Sequence, residues 1–293
     1  MKQTYKLTKE QKEEICVRYL NGESTVQLGN AFNVTKANIR SLLITRNIPR
    51  RKNTAKLHRT YHCNHEYFNE PFDENRAYWV GFILADGNIS DTKKTGANIL
   101  SIGLKESDKH HLLKFLNDIE SNHPIITSTA KNGYGAGFKN CKITIASEAL
   151  TTSLKKYDVL PRKTGVHRTP NIPKNLLKHM YRGYVDGNGS IGIYQLRTWP
   201  NSSFECVGPY GFLKTFSDWL SKVVNTNRNQ PTKINKTTTV QRLRYGGVSQ
   251  VKSVVELLYV DSNIYLDRKY KLALELIKLQ KQTNSHRRDD GLM

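Results

Sequence analysis

The chain has 293 residues, of which 46 are Lys or Arg and 25 are Asp or Glu, so its formal net charge is +21 and its pI is near 9.8. This surplus favours a polyanionic partner, because Lys and Arg side chains bind phosphates and release their counterions. We find no apolar run of 18 residues and no signal peptide, which argues against a membrane role.

The four cysteines are too far apart for the paired spacings of a zinc site. They are Cys16, Cys63, Cys141 and Cys206. We therefore predict reduced thiols and a cytoplasmic protein, on the nucleoid or in a phage-infected cell, with an organelle as the alternative.

The sequence pattern of residues 1–52 predicts a domain of three short helices. Capping-box pairs begin the first two, and a capping threonine begins the third: Thr8 with Gln11, Ser24 with Gln27, and Thr35. A tight turn at Asn33 separates the second and third helices, and Pro49 ends the third. This pattern is typical of a helix-turn-helix domain.

The outer face of the third predicted helix carries side chains suited to phosphates and to base edges in a DNA major groove. They are Lys36, Arg40, Ser41 and Thr45, and a basic arm of Arg50, Arg51 and Lys52 follows them. Such an arm can follow the phosphate backbone or lie in a minor groove. The alternative is a plain three-helix bundle whose polar face only meets solvent.

Residues 53–75 have few apolar residues in periodic order, so we predict a linker. A group of His58, His62, Cys63 and His65 lies there, but it lacks a second pair of zinc ligands. A separate module on a flexible tether would extend a DNA footprint.

Residues 77–89, AYWVGFILADGNI, have a weaker copy at residues 179–191, HMYRGYVDGNGSI, and Gly183 lies 102 residues after Gly81. Each copy predicts an apolar helix with an internal glycine, which ends in a glycine-rich turn before a strand. An internal helical glycine costs about 1 kcal/mol relative to alanine, so the matched pair predicts that the two helix backbones touch there. Either copy alone fits an ordinary core helix with a glycine C-cap, and the repeat favours the paired interpretation.

Each copy begins a half with the predicted order helix, strand, strand, helix, strand, strand, helix. The halves are residues 76–170 and 171–281, and the polar residues 282–293 are predicted to be a disordered tail. Strands are predicted at 88–90, 99–104, near 125 and at 142–145, then at 191–196, 204–207, near 233 and at 241–245. We therefore predict an α+β fold of two pseudo-symmetric halves. Both halves contain Leu-x-Arg-Lys beyond the last helix, at 160–163 and 266–269.

The repeated stretch resembles the motif of the LAGLIDADG homing endonucleases, in the single-chain form that carries two motif copies. That resemblance implies two αββαββα half-domains with the motif helices side by side between them. It also implies that the eighth residue of each nine-residue motif binds divalent metal above the DNA. Asp86 holds that position in the first motif and Asn188 holds it in the second. The first motif fits the family and the second departs from it.

The resemblance further implies that Lys163 and Lys269 lie near the scissile phosphates. Mg²⁺ prefers carboxylate, carbonyl and water oxygens, so Asp86 and Asn188, with the carbonyl region of Gly87, form the predicted metal site, and Mn²⁺ is expected to substitute. Asp186, two residues before Asn188, is the alternative ligand. It is disfavoured because two residues turn a helix by about 200°.

The exposed faces of the two predicted sheets supply further DNA-binding candidates. They are Ser90, Lys93, Lys94 and Lys105 in the first half, and Gln195, Arg197, Gln241, Arg242 and Arg244 in the second. Any one of them can equally belong to a solvated sheet face.

We therefore expect a monomeric, Mg²⁺-dependent endonuclease that hydrolyses double-stranded DNA at a long asymmetric target. Cutting of the two strands is expected to be unequal, because Asn188 brings no negative charge to its metal site. The alternative is a fold retained as a DNA-binding regulator or an RNA-splicing maturase without cleavage. A methionine start without flanking splicing residues favours a free-standing or intron-encoded gene over an intein.

Overall fold

The computed structural model describes residues 7–49, 60–69, 71–91, 98–130, 137–196, 199–224, 226–235 and 237–289. The chain divides into a unit of residues 1–60 and a unit of residues 61–293. Several predicted DNA-binding residues lie outside the described residues: Arg50, Arg51, Lys52, Lys93, Lys94 and Arg197. Within the described ranges no helix is both long enough and apolar enough to cross a membrane.

Three helices form the first unit, here called the three-helix unit: α1 (Lys9–Leu20), α2 (Thr25–Ala31) and α3 (Lys36–Thr45). The predicted caps are present, because the side chains of Thr8, Ser24 and Thr35 each accept a hydrogen bond from the backbone three residues on. The core consists of five buried side chains, Ile15, Tyr19, Leu28, Ile39 and Leu43.

The turn between α2 and α3 follows from two residues. Asn33 has a φ of 52°, a left-handed conformation that asparagine tolerates better than most residues. A Cβ atom on Gly29 would lie 2.8 Å from the carbonyl oxygen of Val34, so glycine allows the chain to pass closely over α2. The three predicted helices and their turn are confirmed, whereas the assignment as a DNA-binding helix-turn-helix stays a prediction.

The second unit, here called the α/β unit, begins with a half of seven elements. They are α4 (Glu74–Asp86), β1 (Gly87–Asp91), β2 (Asn98–Lys105), α5 (Lys109–Asp118), β3 (Ile126–Thr129), β4 (Lys139–Ala146) and α6 (Glu148–Lys155). The four strands form an antiparallel sheet in the order β1-β2-β4-β3. In β4 the buried side chains Cys141, Ile143 and Ile145 alternate with exposed ones, as expected of a sheet with one face on the core.

The second half repeats this order and adds a terminal helix. Its elements are α7 (Leu177–Asn188), β5 (Gly189–Leu196), β6 (Trp199–Gly208), α8 (Tyr210–Val223), β7 (Thr232–Lys233), β8 (Gln241–Gly246), α9 (Val248–Tyr259) and α10 (Asp267–Asp289). Its antiparallel sheet has the equivalent order β5-β6-β8-β7. The predicted α+β fold with two αββαββα halves is confirmed.

The two motif helices, α4 and α7, pack against each other along the middle of the unit. Residues 77–84 of α4 are all buried, which fits a helix that is apolar on every side. A Cβ atom on Gly81 would lie 1.9 Å from the carbonyl oxygen of Met180, and one on Gly183 would lie 2.0 Å from that of Tyr78. The helix backbones therefore touch at the paired glycines, as the repeat predicted.

A partly buried ion pair also joins the motif helices. Arg182 in α7 is 1% exposed, and its Nη2 lies 2.7 Å from a carboxylate oxygen of Glu74 in the first turn of α4. The same guanidinium donates to the carbonyl oxygens of Ile264 and Leu258 at 2.8 and 3.1 Å. Because each of the three nitrogens donates to an acceptor, much of the cost of burying this charge is offset.

The predicted linker of residues 53–75 needs correction. From Tyr61 onward the chain lies in the α/β unit, where Cys63, Tyr67 and Phe68 are buried in the core. Tyr67 and Phe68 pack from a short 3-10 turn, Tyr67–Asn69, and Cys63 packs from a segment that is neither helix nor strand. The segment therefore shows no helical or strand periodicity. At the other end, α10 runs to Asp289, which makes part of the predicted tail of residues 282–293 helical.

We predict that Gly81→Ala or Gly183→Ala lowers the free energy of unfolding by about 3 kcal/mol, because the added methyl group overlaps a carbonyl of the facing helix. The control is Gly211→Ala in α8, where an added Cβ has nothing within 4 Å. That change should stabilise by about 0.5 kcal/mol. Urea unfolding of all three variants tests this, and equal midpoints for Gly81→Ala and Gly211→Ala would contradict it.

Candidate active site

The two motif helices end next to each other. Gly87 caps α4 and donates its N–H to Ile83, and Gly189 caps α7 and donates to Val185. A Cβ atom on Gly187 would lie 2.4 Å from the Cβ of Ala85 and 3.4 Å from Oδ2 of Asp86. The carboxylate of the first motif therefore faces the last turn of the second motif helix.

Asp86 is half-buried in a positively charged environment. Burial raises the pKa of its carboxyl group, whereas the charges of Lys269, Lys163 and Arg268 lower it. Both predicted lysines therefore act electrostatically on this one acid, although they belong to different halves of the chain.

Lys163 is held at the end of α4. Its side chain is 7% exposed, and Nζ donates to the carbonyl oxygen of Gly87 at 2.7 Å. Burial lowers the pKa of the ammonium group to about 8, while Asp86 raises it. Lys163 is therefore mainly protonated at pH 7, and two of its three donors remain for other acceptors.

Lys269 is placed differently. Its Nζ donates to the carbonyl oxygens of Val185 and Asp186 at 2.6 and 2.7 Å, further back along the last turn of α7, and burial lowers its pKa to about 8. Lys269 lies 86 residues after Gly183, whereas Lys163 lies 82 residues after Gly81. This difference in spacing is the feature of the sequence that indicates that the two lysines bind different positions on their motif helices.

Asn188 lies beside Tyr184, whose hydroxyl connects to the first half. Burial raises the pKa of Tyr184, and a hydrogen bond with the Asn188 side chain lowers it. The same hydroxyl donates to the carbonyl oxygen of Val207 at 3.0 Å and lies 2.9 Å from Nε2 of His167. The other ring nitrogen of His167 lies 3.2 Å from the carbonyl oxygen of Lys163. Asn188 is thus connected with Lys163 of the first half through Tyr184 and His167.

Asp186, the alternative metal ligand, is 1% exposed and is fully engaged within the fold. Its carboxylate accepts hydrogen bonds from the hydroxyls of Tyr78 and Tyr259, both at 2.7 Å, and from the backbone N–H of Leu266 at 2.8 Å. Burial raises the pKa of Asp186, while Lys269 and these donors lower it. Its role is to hold the segment from Leu266 to Lys269 against α7.

One neighbour of the site was missed by the sequence analysis. Arg268 donates from Nε to the carboxylate of Asp108 at 3.0 Å, and both charges act on Asp86. Asp108 comes from the first half and Arg268 from the second. Arg268 is the third residue of the repeated Leu-x-Arg-Lys, and that repeat was the available signal.

The oxygen atoms of Asp86 and Asn188 fit a hard divalent cation that takes most of its ligands from waters and substrate phosphates. Among the described residues no group of three or more His, Cys, Asp or Glu residues could hold a metal by itself. Asp86 supplies one carboxylate, Asn188 one amide oxygen, and the Gly87 carbonyl is already bonded to Lys163. Mg²⁺ is commonly held by one or two carboxylates together with waters and substrate phosphates. The lack of a side chain at Gly187 lets the last turn of α7 lie directly against Ala85 and the Asp86 carboxylate.

The outer faces of the two sheets carry some of the predicted DNA-binding residues. Lys105 lies opposite Asn140 and is exposed, and Arg242 and Arg244 alternate with the buried Leu243 and Tyr245. Gln195 is exposed and Gln241 is half-buried, and each shares the strand face of a core residue, Ile191 and Leu243 respectively. In the three-helix unit, Lys36, Arg40, Ser41 and Thr45 are all exposed on α3.

Solved structures share this architecture, although no family model and no curated protein sequence matches the chain. The homing endonuclease I-GzeII, in complex with its DNA target, is 16% identical with a TM-score of 0.50, over 74% of this chain and 92% of that one. I-LtrWI bound to target DNA is 12% identical with a TM-score of 0.47, over 74% and 92%. I-SmaMI bound to cleaved DNA is 14% identical with a TM-score of 0.47, over 74% and 92%.

The likeness to I-GzeII concerns the fold, since only 16% of residues are identical. Together with the two antiparallel sheets and the paired motif helices, it defines the class: the α/β unit has the LAGLIDADG homing endonuclease fold. More particularly, it is the form that carries both motif copies on one chain.

We predict that His111 makes the fold sensitive to acid. Its Nε2 lies 3.0 Å from the Tyr78 hydroxyl, and burial lowers its pKa from 6.5 to about 3. Below pH 6.5 the unfolded chain therefore binds a proton that the folded chain does not, so stability falls as pH drops towards 3. From pH 6.5 to pH 5 this loss is about 2 kcal/mol. Urea unfolding at pH 7 and pH 5 should show a smaller loss for His111→Gln than for the wild type. Parallel losses would contradict the prediction.

Proposed function

We propose that this protein is a divalent-metal-dependent, site-specific endonuclease of double-stranded DNA. The observation that carries the proposal is the meeting of Asp86 with the end of the second motif helix, within the field of Lys163 and Lys269. A half-buried carboxylate, two nearly buried ammonium groups and an exposed sheet on each side suit phosphodiester hydrolysis on a duplex. The net charge of +21 supports a polyanionic substrate.

Each site residue has a distinct role in this proposal. Asp86 and Asn188 offer the oxygens that would hold Mg²⁺ or Mn²⁺, with Gly87 contributing less because Lys163 occupies its carbonyl. The metal would polarise the scissile phosphate and lower the pKa of a water. Lys163 holds the end of α4 and leaves two donors for phosphate oxygens. Lys269 holds the end of α7 and has one donor left.

The two halves of the site are unequal, and this favours strand-biased cutting. Asn188 brings an oxygen without a negative charge, so it binds a hard cation more weakly than an aspartate does. Its side chain also lies beside the Tyr184 hydroxyl and lowers the pKa of that group. The position served by Asp86 and Lys163 is therefore proposed to act faster than the position served by Asn188 and Lys269.

The test is digestion of a supercoiled plasmid that carries the protein's own insertion locus, with nicked and linear products resolved. The wild type should accumulate nicked circles before linear DNA. Asn188→Asp should increase linear product at limiting Mg²⁺, and Asp86→Asn should abolish nicking as well, because it removes the remaining carboxylate.

Two results would contradict these expectations. Plasmid that stays supercoiled in both Mg²⁺ and Mn²⁺ ends the nuclease proposal. Equal cutting of both strands, unchanged by Asn188→Asp at every Mg²⁺ concentration, ends the strand-bias proposal alone.

The competing function is a non-cleaving DNA-binding regulator or RNA-splicing maturase, which Asn188 favours. Site-specific binding that EDTA leaves unchanged, with Asp86→Ala silent in every assay, would support the regulator.

We further propose that the three-helix unit binds DNA through the exposed face of α3. Replacing Lys36 and Arg40 together by alanine should weaken binding, and the slope of log K against log salt should fall by about 1.8 if both contact phosphates. The matched control replaces Lys9 and Lys12 on α1, which removes the same charge from another helix of the unit. A slope that is unchanged in the α3 variant, or reduced equally in both variants, would argue against this face.

A further inference from the structure

One carboxylate stands among the arginines on the outer face of the second sheet. Glu205 in β6 is directly opposite Arg244 in β8, and Arg242 follows two residues away on the same face. The Glu205 carboxylate oxygens lie 3.2 Å from Nε of Arg244 and 3.5 Å from Nε of Arg242. Its side chain is 27% exposed, against 56% for Arg244 and 39% for Arg242, so the arginines extend further towards solvent than the acid.

This arrangement affects how each guanidinium can be used. Glu205 is an ion-pair partner at the Nε edge of both, although among the described residues Nε of Arg242 is buried without a hydrogen-bond partner. Within the described ranges no hydrogen bond reaches the Nη atoms of either arginine. Pairing limits the rotamers of two long side chains, so less freedom is lost when they bind. A carboxylate at this position also repels phosphate, which disfavours a role in backbone contact. The Nη groups are left as donors for a neutral, planar acceptor.

The first sheet lacks this group. At the offset of 102 residues, Glu205 corresponds to Gly103, Arg244 to Lys142 and Arg242 to Asn140. The strand pairing is equivalent, because Gly103 lies opposite Lys142 as Glu205 lies opposite Arg244. The acid and both arginines therefore distinguish the second half from the first.

We propose that Glu205 is a positioning residue for specificity, which directs Arg242 and Arg244 to two guanines in the major groove, two base-pair steps apart. This inference rests on the proposed binding of duplex DNA. Arginine pairs bidentately with O6 and N7 of guanine. Side chains on one face of a strand repeat every ~6.7 Å, and base pairs rise by ~3.4 Å, so alternate strand positions match every second base pair along the groove.

The experiment is selection of duplexes from a randomised library by the full-length protein, with Ca²⁺ in place of Mg²⁺. The wild type should enrich guanines two steps apart in one half of the selected site. Arg244→Ala should lower the preference at one of them about tenfold, with little change elsewhere. Glu205→Gln should lower the preference at both and tighten binding to unselected duplex, because a negative charge is lost from the surface.

The matched control is Glu256→Gln on α9, whose carboxylate pairs with Lys252 at 3.4 Å. It removes the same charge away from the sheet face and should leave the selected sequence unchanged. Thermal melting of each variant verifies folding.

Four outcomes overturn the inference, and they separate it from the proposed function. A selected site without the guanine pair, or a pair that Glu205→Gln leaves intact, overturns this inference alone. If Arg244→Ala instead weakens binding to all sequences equally and makes the salt slope shallower, Arg244 contacts a phosphate. That result also overturns this inference alone. Failure of the wild type to bind any duplex overturns the proposed DNA binding together with it.

Discussion

Main-chain contact between the two motif helices is the constraint on which the α/β unit depends. Gly81 and Gly183 allow each helix to reach a carbonyl of the other, and no side chain stands between the backbones to absorb a shift. Asp86 and Asn188 each follow their glycine by five residues, or about 7.5 Å along the helix axis. The distance between the two acid positions is therefore set by a rigid contact about one and a half turns away.

The lysines show how the near-symmetry of the fold breaks down at the site. Lys163 binds the cap of its helix, whereas Lys269 binds carbonyls further back in the last turn. Two residues of α7 hold the segments of the chain that carry these two lysines. Asp186 binds the backbone before Lys269, and Tyr184 contacts His167, which reaches the backbone of Lys163. The second motif helix thus organises both lysines, although its own acid position is occupied by an amide.

Much of the fold could be predicted from the sequence, because the repeat and the strand alternation are local patterns. The caps at Thr8 and Ser24 and the contact of the motif glycines are of this kind. The packing of Cys63 and Tyr67 could not be predicted, since a segment that fills a gap in the core has no period of its own. The ion pairs of Glu205 depend on the register between β6 and β8, which distant residues determine. The connections between the candidate site residues could not be predicted, because their partners are distant in the sequence: Asp186 and Tyr78 are 108 residues apart.

Because of the hydrogen bonds of Asp186, the two halves differ in how readily each can be combined with a half from another protein. Its carboxylate lies in the second half, yet one of its three donors, Tyr78, is supplied by the first, and His111 supports that tyrosine. A first half taken from another protein would bring a different residue to the position of Tyr78 and leave a buried carboxylate short of a donor. The first motif has Leu84 where the second has Asp186, so it makes no such demand in return. Recombination of half-domains is therefore directional in this chain: the first half can accept new partners more readily than the second.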